Sequence, residues 1–314
     1  MPDDSAAKAK QPNLLDIPEQ PKKHIKVIAP TNPVWTDNKA RFIMRYLRYF
    51  VYITKHGTYI DGFAGPQQEK ETDAWAAKLV LESEPRRLRH FHLCDIDKKQ
   101  VARLEAMKAA QPTADVSGKP IVRNVEIYSG DFNQRIDDVL NGGTISEKEA
   151  TFCLLDQRTF ECYWSTVEKI AKYKKTGMKI ELFYFLANGW FERAFCAQKD
   201  LDKLANWWGR SDWKDLRAMS RDQRRDLIVE RMRNELGYEH VMPWSIYKRN
   251  TGGAVMYFMI HATDHPEGPV QMSRAYRNTV LPLEPLEQLS FELEGESKAP
   301  QSGSTHLASA SRPA

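Results

Sequence analysis

Four strand-like runs in this chain end in an aspartate, and those aspartates with their neighbours are the residues whose chemistry follows from type and spacing. The first run closes in Y-I-D-G-F-A-G-P-Q, from Tyr59 to Gln67. Asp61 ends the run, and Gly62, Phe63 and Gly65 follow it. Glycines after a first strand let the backbone turn tightly and approach a ligand closely, at the edge where α/β sheets bind ligands. The alternative is an ordinary Gly-containing β–α turn. The second run ends in H-L-C-D-I-D. Asp95 falls at the strand end, placed to hold the ribose hydroxyls of a nucleoside cofactor. Asp97 reads instead as the N-cap of the next helix. The third run ends in S-G-D-F-N, where Asp131 can accept from an adenine amino group and Phe132 can lie against the ring. Each aspartate alone has a simpler reading as a helix cap. Three in order at one sheet edge carry more weight together.

The fourth run ends in C-L-L-D-Q-R-T-F-E-C-Y-W. Asp156 is predicted at the top of the sheet's middle, facing any substrate beside the cofactor, where a carboxylate orients a nucleophile or accepts its proton. Gln157 and Arg158 add hydrogen-bonding groups, and Arg158 can grip phosphate. The alternative is a capped strand end with exposed polar residues. After the fifth run, Asn188 and Arg193 fall near the same edge or on loop surface. A further candidate surface lies earlier, on a helix predicted over Trp35–Tyr52 with Thr36 as N-cap. Arg41, Arg45 and Arg48 share one face of it, with Tyr46, Tyr49 and Tyr52 interleaved. Arginines and aromatics so arranged can track a nucleic-acid backbone and stack on unpaired bases, or form a solvated face. His92 and His261 lie within strands and read as core histidines. No H-E-x-x-H, G-x-S-x-G or Walker sequence occurs, which argues against zinc proteases, α/β hydrolases and P-loop NTPases. The four cysteines, Cys94, Cys153, Cys162 and Cys196, form no C-x-x-C pair. They read as reduced thiols of a cytoplasmic protein, with no metal site.

The elements that must position these residues alternate. Strands are predicted at Thr58–Asp61, His90–Asp95, Val125–Tyr128, Thr151–Asp156 and Ile180–Leu186. Helices are predicted at Asp97–Ala110, Phe132–Leu140 and Trp164–Tyr173. Such alternation implies parallel strands with crossover helices, hence an open α/β sheet. Ser245–Arg249 and Ala254–Ala262, joined through Thr251-Gly252-Gly253, read as a closing antiparallel hairpin. Five βα units followed by a hairpin is the order of a Rossmann-like class I methyltransferase sheet. Between the fifth strand and the hairpin, residues 187–240 read as a helical insertion with a charged helix over Asp212–Leu236. Over 201–240 there are nine Lys/Arg against eight Asp/Glu, the balance of a salt-bridged surface.

The whole chain has 314 residues and a formal charge of +4, which permits a nucleic-acid partner without demanding one. Its 41% hydrophobic residues include no run long enough for a membrane span, and no signal or transit peptide is recognisable. Residues 1–24 and 285–314 have the composition of disordered tails, leaving 25–284 as one domain with its insertion.

The series W-T-x-x-K at Trp35–Lys39, Y-I-D-G-F-A-G-P at Tyr59–Pro66, L-L-D with W-S-T-V between Leu154 and Val167, and Y-F-M-I-H-A-T-D at Tyr257–Asp264 resembles the bacterial three-Cys-motif partner proteins. The likeness runs over about residues 34–280. It implies a class I fold using S-adenosyl-L-methionine, and a protein partner bearing three cysteines. On that resemblance, Asp61, Gly62, Phe63 and Gly65 shape the methionine pocket, Asp95 binds ribose, and Asp131 with Phe132 binds adenine. Asp156 faces the acceptor, with Arg41, Arg45, Arg48, Arg158 and Asn188 contacting substrate. Methyl transfer to nucleic acid, RNA ahead of DNA, is the activity expected. A catalytically silent nucleic-acid-binding subunit and a small-molecule methyltransferase are the alternatives. Two positions depart from the family's pattern: Gln67 stands where F-A-G-P-G has its last glycine, and Asp156-Gln157-Arg158-Thr159 replaces D-P-aromatic-G. The second removes a rigid turn that amino-methylating enzymes use to grip an exocyclic amine.

Overall fold

The computed structural model describes residues 38–66, 74–115, 117–187, 189–248 and 254–279. The two tails, Thr36, Gln67, Asn188 and the Thr251-Gly252-Gly253 turn lie outside them. Seven strands form one sheet: β1 (Gly57–Asp61), β2 (Leu88–Asp95), β3 (Asn124–Ser129), β4 (Thr151–Leu155), β5 (Glu181–Ala187), β6 (His240–Tyr247) and β7 (Val255–Thr263). Their order is β3-β2-β1-β4-β5-β7-β6. The first five strands pair in parallel, whereas β7 runs antiparallel to both β5 and β6. This is the Rossmann-like class I methyltransferase sheet that the order of elements predicts.

The central strands are buried on both faces, which is why they read as near-continuous apolar runs. Every residue of β1, β4 and β5 is buried. The period of two sorts their side chains into two cores. Tyr59, Phe152 and Leu154 join one core with Phe42, Tyr46 and Phe183. Ile60, Cys153 and Leu155 join the other, with Ile136, Val167 and Trp208. The helices, in chain order, are α1 (Lys39–Thr54), α2 (Ala76–Glu82), α3 (Lys98–Ala109), α4 (Phe132–Asn141), α5 (Trp164–Ala171), α6 (Phe191–Ala197), α7 (Leu201–Trp208), α8 (Arg221–Asn234) and α9 (Glu267–Asn278). Residues of α1, α2, α3 and α9 build the first core, while α4 to α8 contribute to the second.

Several expectations need correcting. β6 starts at His240, five residues before the predicted Ser245, and carries Pro243. As the edge strand it tolerates a residue with no N–H. The helix predicted over Asp212–Leu236 is two elements, a 3-10 segment at Ser211–Arg217 and then α8. Ser220 restarts it: its hydroxyl accepts from the Gln223 N–H and the Gln223 side chain accepts from the Ser220 N–H, a capping box. Nor is this helix only a salt-bridged surface, because Arg224, Arg225 and Arg231 are buried. The Arg231 guanidinium lies 3.8 Å from the centre of the Trp164 ring and 4.3 Å from that of Trp208, and it donates to both oxygens of Glu235. Cation–π contact and a bidentate carboxylate together make burial of the charge tolerable. The tryptophan-rich insertion is thereby welded into the second core.

Candidate functional site

The strand order reverses between β1 and β4, and at their carboxyl ends a cleft of about 350 Å³ opens. Ligands of open α/β sheets bind at this switch point. Residues following β1, β2, β3 and β4 all line the cleft, among them Gly62, Gly65, Asp95, Asp131 and Asp156. One wall comes from the insertion, through the half-buried Lys203.

The loop after β1 is pinned from both sides. The Gly62 N–H donates to the Leu154 carbonyl at 3.1 Å and the Ala64 N–H to the Cys94 carbonyl at 2.8 Å. Its glycines are sterically required. A Cβ on Gly65 would stand 2.4 Å from Asp95 Oδ2, and one on Gly62 would stand 2.8 Å from the Phe132 ring. The Gly65 N–H donates to Asp95 Oδ2 at 2.9 Å, and the Asp97 N–H donates to Asp95 Oδ1 at 2.8 Å. Two fixed N–H groups therefore orient the Asp95 carboxylate beside the cleft, leaving lone pairs for ligand hydroxyls. Asp97 caps α3 as predicted, accepting from the Lys99 N–H.

Asp61 has a different position from the one expected. It is 2% exposed and does not line the cleft: its oxygens accept from the Tyr59 hydroxyl at 2.8 Å and the Phe63 N–H at 3.1 Å. Asp61 thus shapes the loop from beneath. Burial raises its carboxyl to about 7, against the two hydrogen bonds, with Asp156 and Asp95 adding repulsion. Asp131 caps α4, accepting from the Asn133 N–H and side-chain amide, while still lining the cleft. Phe132 is only 2% exposed, wedged against Gly62. The cleft lining also includes the apolar Ile96, 72% exposed to solvent, which sequence reasoning missed. Its signal was its place directly after the strand-ending Asp95.

Asp156 lies at the predicted edge but is not a lone carboxylate. Lys39, the first residue of α1, donates to Asp156 Oδ2, and both side chains are buried. The Lys39 ammonium also lies 5.5 Å from the centre of the Tyr257 ring, which packs with Phe185 and Trp190. Burial pushes the Lys39 ammonium down, but Asp156 and Tyr257 outweigh it and hold the group above its ordinary value. Only the W-T-x-x-K match touched Lys39 in the sequence, and it carried no role there.

Gln157 is 1% exposed and faces inward, so the hydrogen-bonding group expected at this strand end serves the turn and is not an exposed polar residue. Its amide donates to the Phe185 carbonyl and its oxygen accepts from the Cys162 N–H at 2.8 Å. The side chain braces the turn that a proline holds in the D-P-aromatic-G pattern. Asn133 ties this turn to α4 by accepting from the Tyr163 N–H and the Thr166 hydroxyl, each at 2.8 Å. Arg158 is exposed and lines the cleft, as expected. Arg193 is exposed but outside the cleft lining.

The arginine face predicted on α1 does not form. Arg41 is exposed, but Arg45 and Arg48 are 3% and 9% exposed, and all three interact within the chain. The tyrosines are equally committed: Tyr46 donates to Glu181, Tyr49 lies under Arg274, and Tyr52 lies under Arg87. The physical reason is that α2 and α9, neither anticipated from sequence, both pack against α1. His92 and His261 are buried and hydrogen-bonded, His92 to Thr144 and Tyr128 and His261 to Glu181. Burial pushes the Cys94 thiol up to about 12 and raises Cys153 and Cys162 as well, so none of the three is a poised thiolate.

No protein-family model matches the sequence, and no curated protein matches it. Among solved structures, a Legionella pneumophila protein of the DUF519 family is similar at 10% identity and a TM-score of 0.43, over 78% of this chain and 91% of that one. Trm1 from Pyrococcus horikoshii, solved with S-adenosyl-L-methionine, is similar at 14% identity and a TM-score of 0.38, over 79% of this chain and 61% of that one. A DUF574 family protein from Streptomyces avermitilis shows 11% identity and a TM-score of 0.38, over 72% and 83%. Likenesses this distant carry nothing about activity, and the fold class stands on the strand order itself.

Proposed function

We propose that the cleft binds S-adenosyl-L-methionine and that the protein methylates a nucleic acid, RNA ahead of DNA. The observation that carries the cofactor reading is the Gly65–Asp95 contact at the switch point. A glycine that no other residue can replace without overlap brings the first loop against an oriented carboxylate at the end of β2. Five carboxylates line the cleft against the two cations Arg158 and Lys203, a balance that suits a cationic nucleoside. In this reading Asp95 holds the ribose hydroxyls, Ile96 and Asp131 flank the base, and the Gly62–Gly65 loop shapes the methionine end from above Asp61. The cofactor supplies an electrophilic methyl group when bound. The chain's part is to align the acceptor and exclude water, and Asp156, held by Lys39, faces that acceptor. Arg158 and Lys203 in the cleft lining support an anionic acceptor such as nucleic acid. Four free cysteines support a reducing compartment such as the cytoplasm. No helix among the described residues is long and apolar enough to cross a membrane.

One observation favours a second reading. Asp156 is engaged by a buried lysine, and the turn after it is braced by Gln157 rather than by proline. Both fit a subunit that has kept the fold while binding nucleic acid for a three-Cys-motif partner. Calorimetry with S-adenosyl-L-methionine and its demethylated product, followed by transfer of labelled methyl to total RNA and DNA, separates the two. Asp95→Ala should weaken cofactor binding by about 1.5–3 kcal/mol, the scale of hydrogen bonds to a charged group. Binding without transfer selects the second reading, and no binding by folded protein removes both the cofactor and the enzyme.

A further inference from the structure

A second cavity, of about 330 Å³, lies at the opposite edge of the sheet, beneath the starts of β4 and β5 and the end of β7. It falls in the size range of small-molecule sites. Its lining includes four polar side chains more than nine-tenths buried: Thr151, Lys174, Glu181 and Thr263. Apolar wall comes from Phe50 and Ile53 of α1 and from Met178, which is 48% exposed.

Counting donors against acceptors defines what would fit. The carboxylates lining the cavity are already supplied with donors. Glu181 accepts from the Tyr46 hydroxyl, from His261 at 2.8 Å and from the Thr263 hydroxyl at 2.9 Å. Glu147 accepts from the N–H groups of Lys175 and Thr176 and from the Thr176 hydroxyl. Glu149 accepts from His56 at 3.1 Å. Among the cations, Lys148 is exposed to solvent and Lys179 is paired with Asp264 at 3.1 Å. Lys174 differs: its ammonium donates to a neutral acceptor, the Glu149 carbonyl. An ammonium carries three donors. Burial pushes Lys174 down to about 8 despite the pull of Glu149 and Glu147, the behaviour of a cation short of compensation.

We propose that this cavity binds a compact apolar molecule ending in a carboxylate, its head on Lys174 and its body against Phe50, Ile53 and Met178. The site is separate from the aspartate cleft and independent of any methyl transfer there. One helix joins the two, since α1 places Lys39 on Asp156 and lines the second cavity with Tyr46, Phe50, Ile53 and Thr54.

The test is calorimetry of the full-length protein with octanoate, octylamine and octanol. Octanoate should bind saturably with one molecule per chain, more tightly than the amine or the alcohol. Lys174→Met should weaken octanoate by at least about tenfold, as expected for loss of a charge-assisted hydrogen bond in a buried site. Should that variant fail to fold, Ile53→Trp, which enlarges a side chain of the apolar wall into the cavity and leaves the ammonium in place, should abolish octanoate binding with an unchanged circular dichroism spectrum. S-adenosylhomocysteine should leave the octanoate affinity unaltered. Absence of saturable octanoate binding, equal binding of all three head groups, an undiminished affinity in both variants, or competition with S-adenosylhomocysteine would each overturn the proposal.

Discussion

Asp61, Asp95 and Asp156 are chemically the same residue at three equivalent strand ends, yet their surroundings give them three tasks. Asp95 is oriented by two backbone N–H groups at the cleft, whereas Asp61 lies beneath its loop with a carboxyl raised to about 7. The sign of the stability consequence follows from linkage. The folded state holds the Asp61 proton more tightly than the unfolded chain, so stability falls as pH rises from the usual carboxylate range through about 7. The slope from this group is on the order of 1.4 kcal/mol per pH unit in that window. Urea midpoints measured from pH 4 to 8 should show the fall in wild type and lose most of it in Asp61→Asn. For Asp156, the buried pair with Lys39 makes either single replacement a stability mutant as well as a site mutant. Lys39→Met or Asp156→Asn should each cost about 3–5 kcal/mol, because one charge is left buried without its ion partner. The double variant should cost clearly less than the sum of the two. Additive losses in thermal unfolding would show that the pair is not coupled.

At the scale of elements, the loop between β1 and α2 and the turn at the start of α3 act as one unit. Gly65 can approach Asp95 only without a side chain, and the same approach supplies one of the two donors that orient the carboxylate. Gly65→Ala should therefore cost about 1–3 kcal/mol of stability through overpacking. It should weaken S-adenosylhomocysteine binding at least as much as Asp95→Ala, since both the loop and the carboxylate are displaced. Normal binding in a folded Gly65→Ala variant would separate the loop from the ligand site. The turn after β4 is built by comparable means, with Gln157 and Asn133 holding backbone groups on two sides. The departure from D-P-aromatic-G therefore leaves a well-braced turn.

For the whole molecule, a net charge of +4 spread over 314 residues makes the location of exposed cations decisive. With Arg45 and Arg48 buried, the cations lining the cleft among the described residues are the exposed Arg158, from the turn after β4, and the half-buried Lys203, from the insertion. If both contact phosphates of a single strand, Arg158→Ala with Lys203→Ala should reduce the slope of log K against log salt by about 1.4, at roughly 0.7 per contact. Arg45→Ala should instead lower the melting temperature with the salt slope unchanged. Titration of labelled single-stranded RNA and DNA at several salt concentrations measures both. An unaltered slope in the Arg158/Lys203 variant would move the nucleic-acid contact elsewhere or remove it.

Sequence alone determined what depends on near neighbours. Strand runs, the helices after them and the aspartates at their junctions are set by side-chain period and capping within a few residues. That is why β1 to β5, the Asp97 cap and the aspartate edge of the cleft are legible in the sequence. Which face of each element is covered depends instead on elements distant along the chain. Lys39 meets Asp156 across 117 residues, and Tyr46 meets Glu181 across 135. The arginines of α1 looked solvated because helical spacing records a face but not the α2 and α9 that cover it. Gln157 read as a hydrogen-bonding group at a strand end, where a polar residue is normally exposed, and only packing shows backbone groups waiting inside to pair with it. The second cavity has no sequence signature, since the starts of two strands, the end of a third and the first helix meet there only after the sheet has closed around its cores.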